Sequence, residues 1–161
     1  MTTDGVLENV DGQQVLRFER RLNHPIERVW AALTDPDELI GWLGAAEVDL
    51  PAGRYTLHWQ NEGGPTMAAK ITELDPPRIL EYEGDPHGRL RWELHPDGDT
   101  TLLTFTATGT YPADQVALAL AGWHFHLDAL SGFLAGTLID WPHWPQDQWD
   151  LHYRRYIAHL G

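Results

Sequence analysis

The 161-residue chain is 42% apolar and contains no cysteine. That size and composition suit a single domain spanning residues 1–161 with its own core, and they exclude a disulfide-stapled scaffold, a thiolate metal site and a cysteine nucleophile. Eleven Lys and Arg against 24 Asp and Glu leave a formal charge of −13, which argues against nucleic acid or an anionic membrane as the partner.

Met1-Thr2-Thr3-Asp4-Gly5 carries neither the basic start nor the apolar run of a signal peptide, and no apolar stretch approaches the roughly 18 residues of a membrane span. The expectation is a soluble cytoplasmic protein without membrane insertion. Eight Trp within an aromatic content of 11% stand out.

The first element read along the chain is a strand over residues 15–21. Leu16, Phe18, Arg20 and Leu22 fall on one side and Arg17, Glu19 and Arg21 on the other. Pro25 opens a short helix with Ile26, Val29, Trp30 and Leu33 at helical spacing. Asp35-Pro36-Asp37-Glu38 then combines an Asp cap, Pro at N1 and Glu at N3, which starts a second short helix carrying Leu39, Ile40 and Trp42.

Residues 45–109 switch to period two, broken by turn signals at residues 51–53, 61–65, 75–77, 84–88 and 96–99. About six consecutive strands result. Each offers one apolar face: Tyr55, Leu57 and Trp59; Leu80 and Tyr82; Leu90, Trp92 and Leu94; Leu103, Phe105 and Ala107. Beyond Pro112, Val116, Leu120, Trp123, Leu127, Leu130 and Leu134 step by four, three, four, three and four, the stripe of an amphipathic helix over residues 113–136 that Gly136 ends. A last helix follows Trp141-Pro142-His143-Trp144-Pro145, with Trp149, Tyr153, Tyr156, Ile157 and Leu160 on one face.

This order predicts an α+β fold. A curved antiparallel sheet of about six to seven strands buries its apolar face against the long C-terminal helix, two short helices plug one end, and a hollow is left where a bent sheet meets a straight helix.

Several segments resemble the START-like (SRPBCC, birch-pollen-allergen-like) superfamily with its helix-grip fold, and within it the homologues of the activator of the heat shock protein 90 ATPase. They are Val29-Trp30-Ala31-Ala32-Leu33-Thr34-Asp35-Pro36-Asp37 with Trp42, Pro51-Ala52-Gly53-Arg54-Tyr55, the stretch from Ile71 through Asp75-Pro76-Pro77 to Leu80, and Ala121-Gly122-Trp123 with Leu127 and Leu130. The resemblance spans residues 16–136. It implies the helix-grip fold, a monomer or homodimer, and functions ranging from lipid carriage and polyketide cyclisation to chaperone activation in a stress response.

Three functions compete. The preferred one is non-covalent binding of a small hydrophobic, lipid- or polyketide-like molecule by Trp42, Tyr55, Trp59, Tyr82, Trp92, Phe105, Trp123, His126, Leu127 and Leu130, with no cofactor, no metal and no catalytic residue. The second is a protein-interaction module whose partner is a chaperone. The third is a cyclase or hydrolase in which His126, at the edge of the buried stripe, moves protons.

His124 lies about 100° from Trp123 around the helix and is expected to form a surface pair with Asp128, though the two could also be half of a metal site. Arg20 faces inward and must be paired; Glu47 or Asp49 is the expected carboxylate. Trp141 and Trp144 are expected to cap the mouth between helix and sheet. Ser131, mid-helix and without a nucleophile-elbow turn, and Lys70, the lone lysine, argue against a covalent mechanism.

Overall fold

The computed structural model describes residues 4–60, 66–85 and 88–160. The turn predicted at residues 61–65 and the centre of the one at 84–88 lie outside the described residues. Eight strands, β1 (Val6–Val10), β2 (Gln13–Leu22), β3 (Ala45–Asp49), β4 (Arg54–His58), β5 (Thr66–Asp75), β6 (Ile79–Gly84), β7 (Gly88–Asp97) and β8 (Thr100–Gly109), form one antiparallel sheet in the order β1-β2-β8-β7-β6-β5-β4-β3. Helices α1 (Ile26–Thr34) and α2 (Pro36–Leu39) follow β2, while α3 (Val116–Leu134) and α4 (Gln146–Leu160) end the chain. This is the helix-grip arrangement, with one strand more than the upper end of the sequence expectation.

The additional strand is β1. It pairs with β2 from Val6 opposite Arg17 to Val10 opposite Gln13. The hairpin turns on Asp11 and Gly12, both at positive φ (51° and 80°), the conformation that Asp-Gly supplies and that matches strand twist. Val6 and Val10 stay exposed, so this strand lacks the buried alternation that marks the others.

The remaining strands match the period-two reading. Leu16, Phe18, Tyr55, Leu57, Leu80, Tyr82, Leu90, Trp92, Leu94, Leu103, Phe105 and Ala107 are all buried. On the opposite face Arg91 bridges Glu73 at 2.8 Å and Glu81 at 2.9 Å, and Arg89 pairs with Glu83 at 3.2 Å. These solvated cross-strand pairs support the register and contribute little net stability.

The junction of α1 and α2 fixes one end of the interior. Asp35 caps α2 by accepting from the Asp37 N–H at 2.9 Å. Glu38, at N3 of α2, pairs with Arg28 of α1. The last carbonyls of α1 have no partner within the helix, and two buried aromatic side chains supply one. The Trp42 indole N–H donates to Ala32 O at 2.9 Å, and the Tyr55 hydroxyl donates to Leu33 O at 2.7 Å.

The stripe predicted for α3 faces the sheet and is buried throughout. Helix formation starts three residues later than expected, after a 3₁₀ turn at Ala113–Gln115, and Gly136 ends the segment at φ 103°. The helix is also buried elsewhere around its circumference: Ala121, His124, Phe125 and Phe133 are shielded too, as expected of a helix apolar on more than one face. α4 packs against it, with Trp149 beside Gly122 and Tyr156 fully buried, while Ile157 and Leu160 point outward, contrary to the face assigned to them.

Removing the hydroxyl in Tyr55→Phe is expected to leave Leu33 O buried without a partner and to cost about 1–3 kcal/mol. Trp42→Phe should cost at least as much through added lost packing. Urea unfolding checks both, and an unchanged midpoint would contradict the capping role.

Candidate functional site

The ten residues predicted for a ligand converge between the sheet and α3. Tyr55 and Tyr82 stack at 4.1 Å between centroids with an interplanar angle of 12°. Trp92 lies 4.2 Å from Phe105, and Phe105 lies 4.6 Å from Trp123. Trp42 meets Trp92 edge-on at 5.8 Å, and the Trp92 indole donates to the Tyr82 hydroxyl at 3.1 Å. Such spacings are direct ring contacts. Burial pushes the Tyr55 and Tyr82 phenols well above their ordinary pKa, so both stay neutral.

Exposure is graded along this interior. Trp42, Tyr55, Tyr82, Trp92, Phe105, Leu127 and Leu130 are at most 1% exposed, whereas Trp59, Trp123 and His126 reach 9%, 5% and 4%. These three adjoin one another: Trp59 meets Trp123 edge-on at 5.6 Å and lies 5.3 Å from the His126 ring. His126 turns Nδ1 to Trp42 O at 3.0 Å. Trp141 approaches the His126 ring at 6.2 Å and donates its indole N–H to Ile40 O, while Trp144 packs edge-on against Phe125 at 5.4 Å. Trp141 thus adjoins the His126 end of the aromatic cluster. A depression of about 330 Å³ along β3 and β4, lined by Glu47, Val48, Asp49, Arg54 and Thr56, includes none of the ten residues.

A polar cluster occupies another side of α3, and it corrects two expectations. Arg20 faces Asp128 of α3, with NH2 3.9 Å from Oδ1, rather than Glu47 or Asp49. Those two residues sit on β3, at the far edge of the sheet from β2. His124 is fully buried instead of lying on the surface, because α4 covers it. Its ring packs 4.0 Å from that of His152, and its Nδ1 is 2.8 Å from the Tyr156 hydroxyl, which also accepts from the Gly5 N–H at 2.7 Å. Nε2 of His124 and Nε2 of His152 lie 3.5 and 3.3 Å from the same Asp128 Oδ2.

Arg155, tied to Asp4 at 2.7 Å, places NH2 3.5 and 3.4 Å from the Nδ1 atoms of His124 and His152. A guanidinium only donates. Both Nδ1 atoms therefore face it as acceptors, both Nε2–H groups donate to Asp128, and the Tyr156 hydroxyl donates to His124. One donor atom from each of His124, Asp128 and His152 lies within 4.8 Å of the others, so this trio could hold a metal ion. Sequence reading identified the His124–Asp128 half at i, i+4 and could not supply His152, whose position depends on how α4 docks.

Burial, reinforced by His152, Arg20 and Arg155, lowers the His124 pKa to about 4 against the opposing pull of Asp128. Burial pushes the Asp128 carboxyl up, but the hydrogen bond from His152, with His124 and Arg20 nearby, outweighs it and keeps the group below its usual range.

A model of the family described as Activator of Hsp90 ATPase homolog 1-like protein matches residues 23–135. Among solved structures, the crystal structure of CalU16 from Micromonospora echinospora superposes with a TM-score of 0.75 at 21% identity, covering 98% of each chain. The protein encoded by BPP1335 of Bordetella parapertussis gives 0.67 at 30% identity, covering 95% of this chain and 89% of that one. DynU16, from the dynemicin biosynthetic locus, gives 0.64 at 21% identity over 76% of this chain and 47% of its own. No curated protein matches.

Because the His124 pKa is depressed on folding, the unfolded chain binds the additional proton between about pH 6.5 and 4. Stability is then full above pH 6.5 and falls on acidification through this window, by up to the order of 3 kcal/mol. Urea unfolding of chelator-treated protein at pH 7 and pH 5 checks this. His124→Gln should flatten the dependence, and an equal slope in the variant would contradict it.

Proposed function

The chain belongs to the Activator of Hsp90 ATPase homolog 1-like family, and we propose that it binds a small hydrophobic or aromatic molecule non-covalently at the Trp59–Trp123–His126 end of its interior. The observation that carries this reading is the exposure gradient: the deep rings are sealed, while these three adjoining groups retain contact with water. Deep residues such as Trp42 and Tyr55 close helix α1 and shape the floor, whereas the outer rings can part to admit a flat guest. Large rings give such a guest broad apolar contact with little loss of rotamer freedom, and His126 adds a polar edge for orientation.

A cyclase- or hydrolase-type reading, in which His126 moves protons, is the alternative at the same end of the interior, where His126 turns Nδ1 to Trp42 O at 3.0 Å. A chaperone-contacting role, suggested by the family description and the charge of −13, would place the working surface outside. A charge-driven complex would weaken as salt rises.

Native mass spectrometry of freshly purified protein, followed by titration with a fluorescent fatty acid and a planar tetracyclic aromatic, tests the proposal. At a free probe concentration of about 100 Kd, linkage adds about 2.7 kcal/mol and raises Tm by about 5–10 °C. Trp59→Ala should weaken binding about tenfold while the chain stays folded, since one aromatic contact contributes on the order of 1 kcal/mol. No co-purified ligand together with a flat thermal response across both probe classes would overturn it.

A further inference from the structure

We propose that His124, Asp128 and His152 form a binding site for a divalent transition-metal ion such as Zn²⁺, bridging α3 and α4. Two imidazoles and one carboxylate are a donor set suited to borderline ions, leaving a fourth tetrahedral position for water. Asp128 Oδ2 lies 3.5 Å from Nε2 of His124 and 3.3 Å from Nε2 of His152. Ligand atoms around a tetrahedral zinc stand about 3.3 Å apart, so two edges of the site are already at nearly the required length. The imidazole rings lie 4.0 Å apart, inclined at 32°, and the three ligand atoms are all within 4.8 Å of one another.

The surroundings supply the outer contacts that ligating groups use. The Tyr156 hydroxyl holds Nδ1 of His124 at 2.8 Å; with an ion on Nε2 it turns from donor to acceptor of the Nδ1–H and keeps the ring in place. Arg20 faces Oδ1 of Asp128, orienting the carboxylate with Oδ2 toward the imidazoles. His152 and Asp128 retain partial solvent contact, which gives an ion a way in.

Arg155 opposes the ion. A metal on both Nε2 atoms moves each imidazole proton to Nδ1, where it would confront the Arg155 NH2 now 3.5 and 3.4 Å away. The Arg155 side chain is half exposed and already bonded to Asp4, so it can withdraw onto that carboxylate, at an energetic cost that lowers affinity. Arg155 is therefore expected to weaken the affinity of the site. This inference is independent of the ligand proposed for the aromatic interior.

The test uses the untagged full chain, stripped with EDTA and dialysed, titrated with ZnCl₂ by calorimetry and with Co²⁺ by visible absorption. The expected result is one ion per chain, tetrahedral Co²⁺ bands and a raised Tm. His152→Ala, chosen because its partly exposed position on α4 spares the core, should weaken binding at least about tenfold. Arg155→Gln should tighten it severalfold, a response that adventitious binding to surface histidines would not show. Absence of one-to-one binding in the micromolar range, or binding indifferent to His152→Ala, would overturn the site.

Discussion

The rest of the architecture depends on the burial of α3 on more than one side. The sheet covers one face of this helix and α4 covers another, so the helix cannot turn all its polar groups toward water. His124 and Asp128 must be satisfied inside the protein, by each other and by Arg20, His152 and Tyr156. Buried charges are tolerated only with partners in good geometry. Meeting that condition fixes the rotation of α3, the position of α4 and, through Gly5 and Asp4, the start of β1.

The sheet-facing side of α3 obeys a different rule. Its partners are aromatic, and they do two jobs according to depth. Trp42 and Tyr55 spend their polar atoms on the carbonyl end of α1, and the stacked and edge-on rings beside them form a solid floor. Trp59, Trp123 and His126 sit where that floor meets solvent. A shared fold leaves function to the site grafted on it, and the binding proposed above places that site at these outer three residues.

Much of the sheet was legible because alternation is a strong signal wherever one face is buried. β4 and β6 to β8 presented apolar residues at every second position, and those residues are the core. β1 was missed because Val6 and Val10 are exposed and only Asp11-Gly12 marked the hairpin. At His124, periodicity identified the sheet-facing stripe of α3 but could not say that α4 returns over another face; at Arg20, no local pattern records that β3 lies at the far edge of the sheet from β2. Phe125 and Phe133, apolar residues off that stripe, were the signal available for a second covered side. Individual ring contacts, and hence which aromatic residues seal the floor and which stay wet, depend on packing that no one-dimensional pattern records.

The most direct test of the binding account is an NMR titration that follows the indole N–H resonances with a planar aromatic probe. The account requires saturable shifts at Trp59 and Trp123, accompanied by the His126 ring, while the indole of Trp42, locked on Ala32 O, remains nearly still. Uniform small shifts at every tryptophan, or saturable shifts confined to residues outside the sheet–α3 interior, would contradict it.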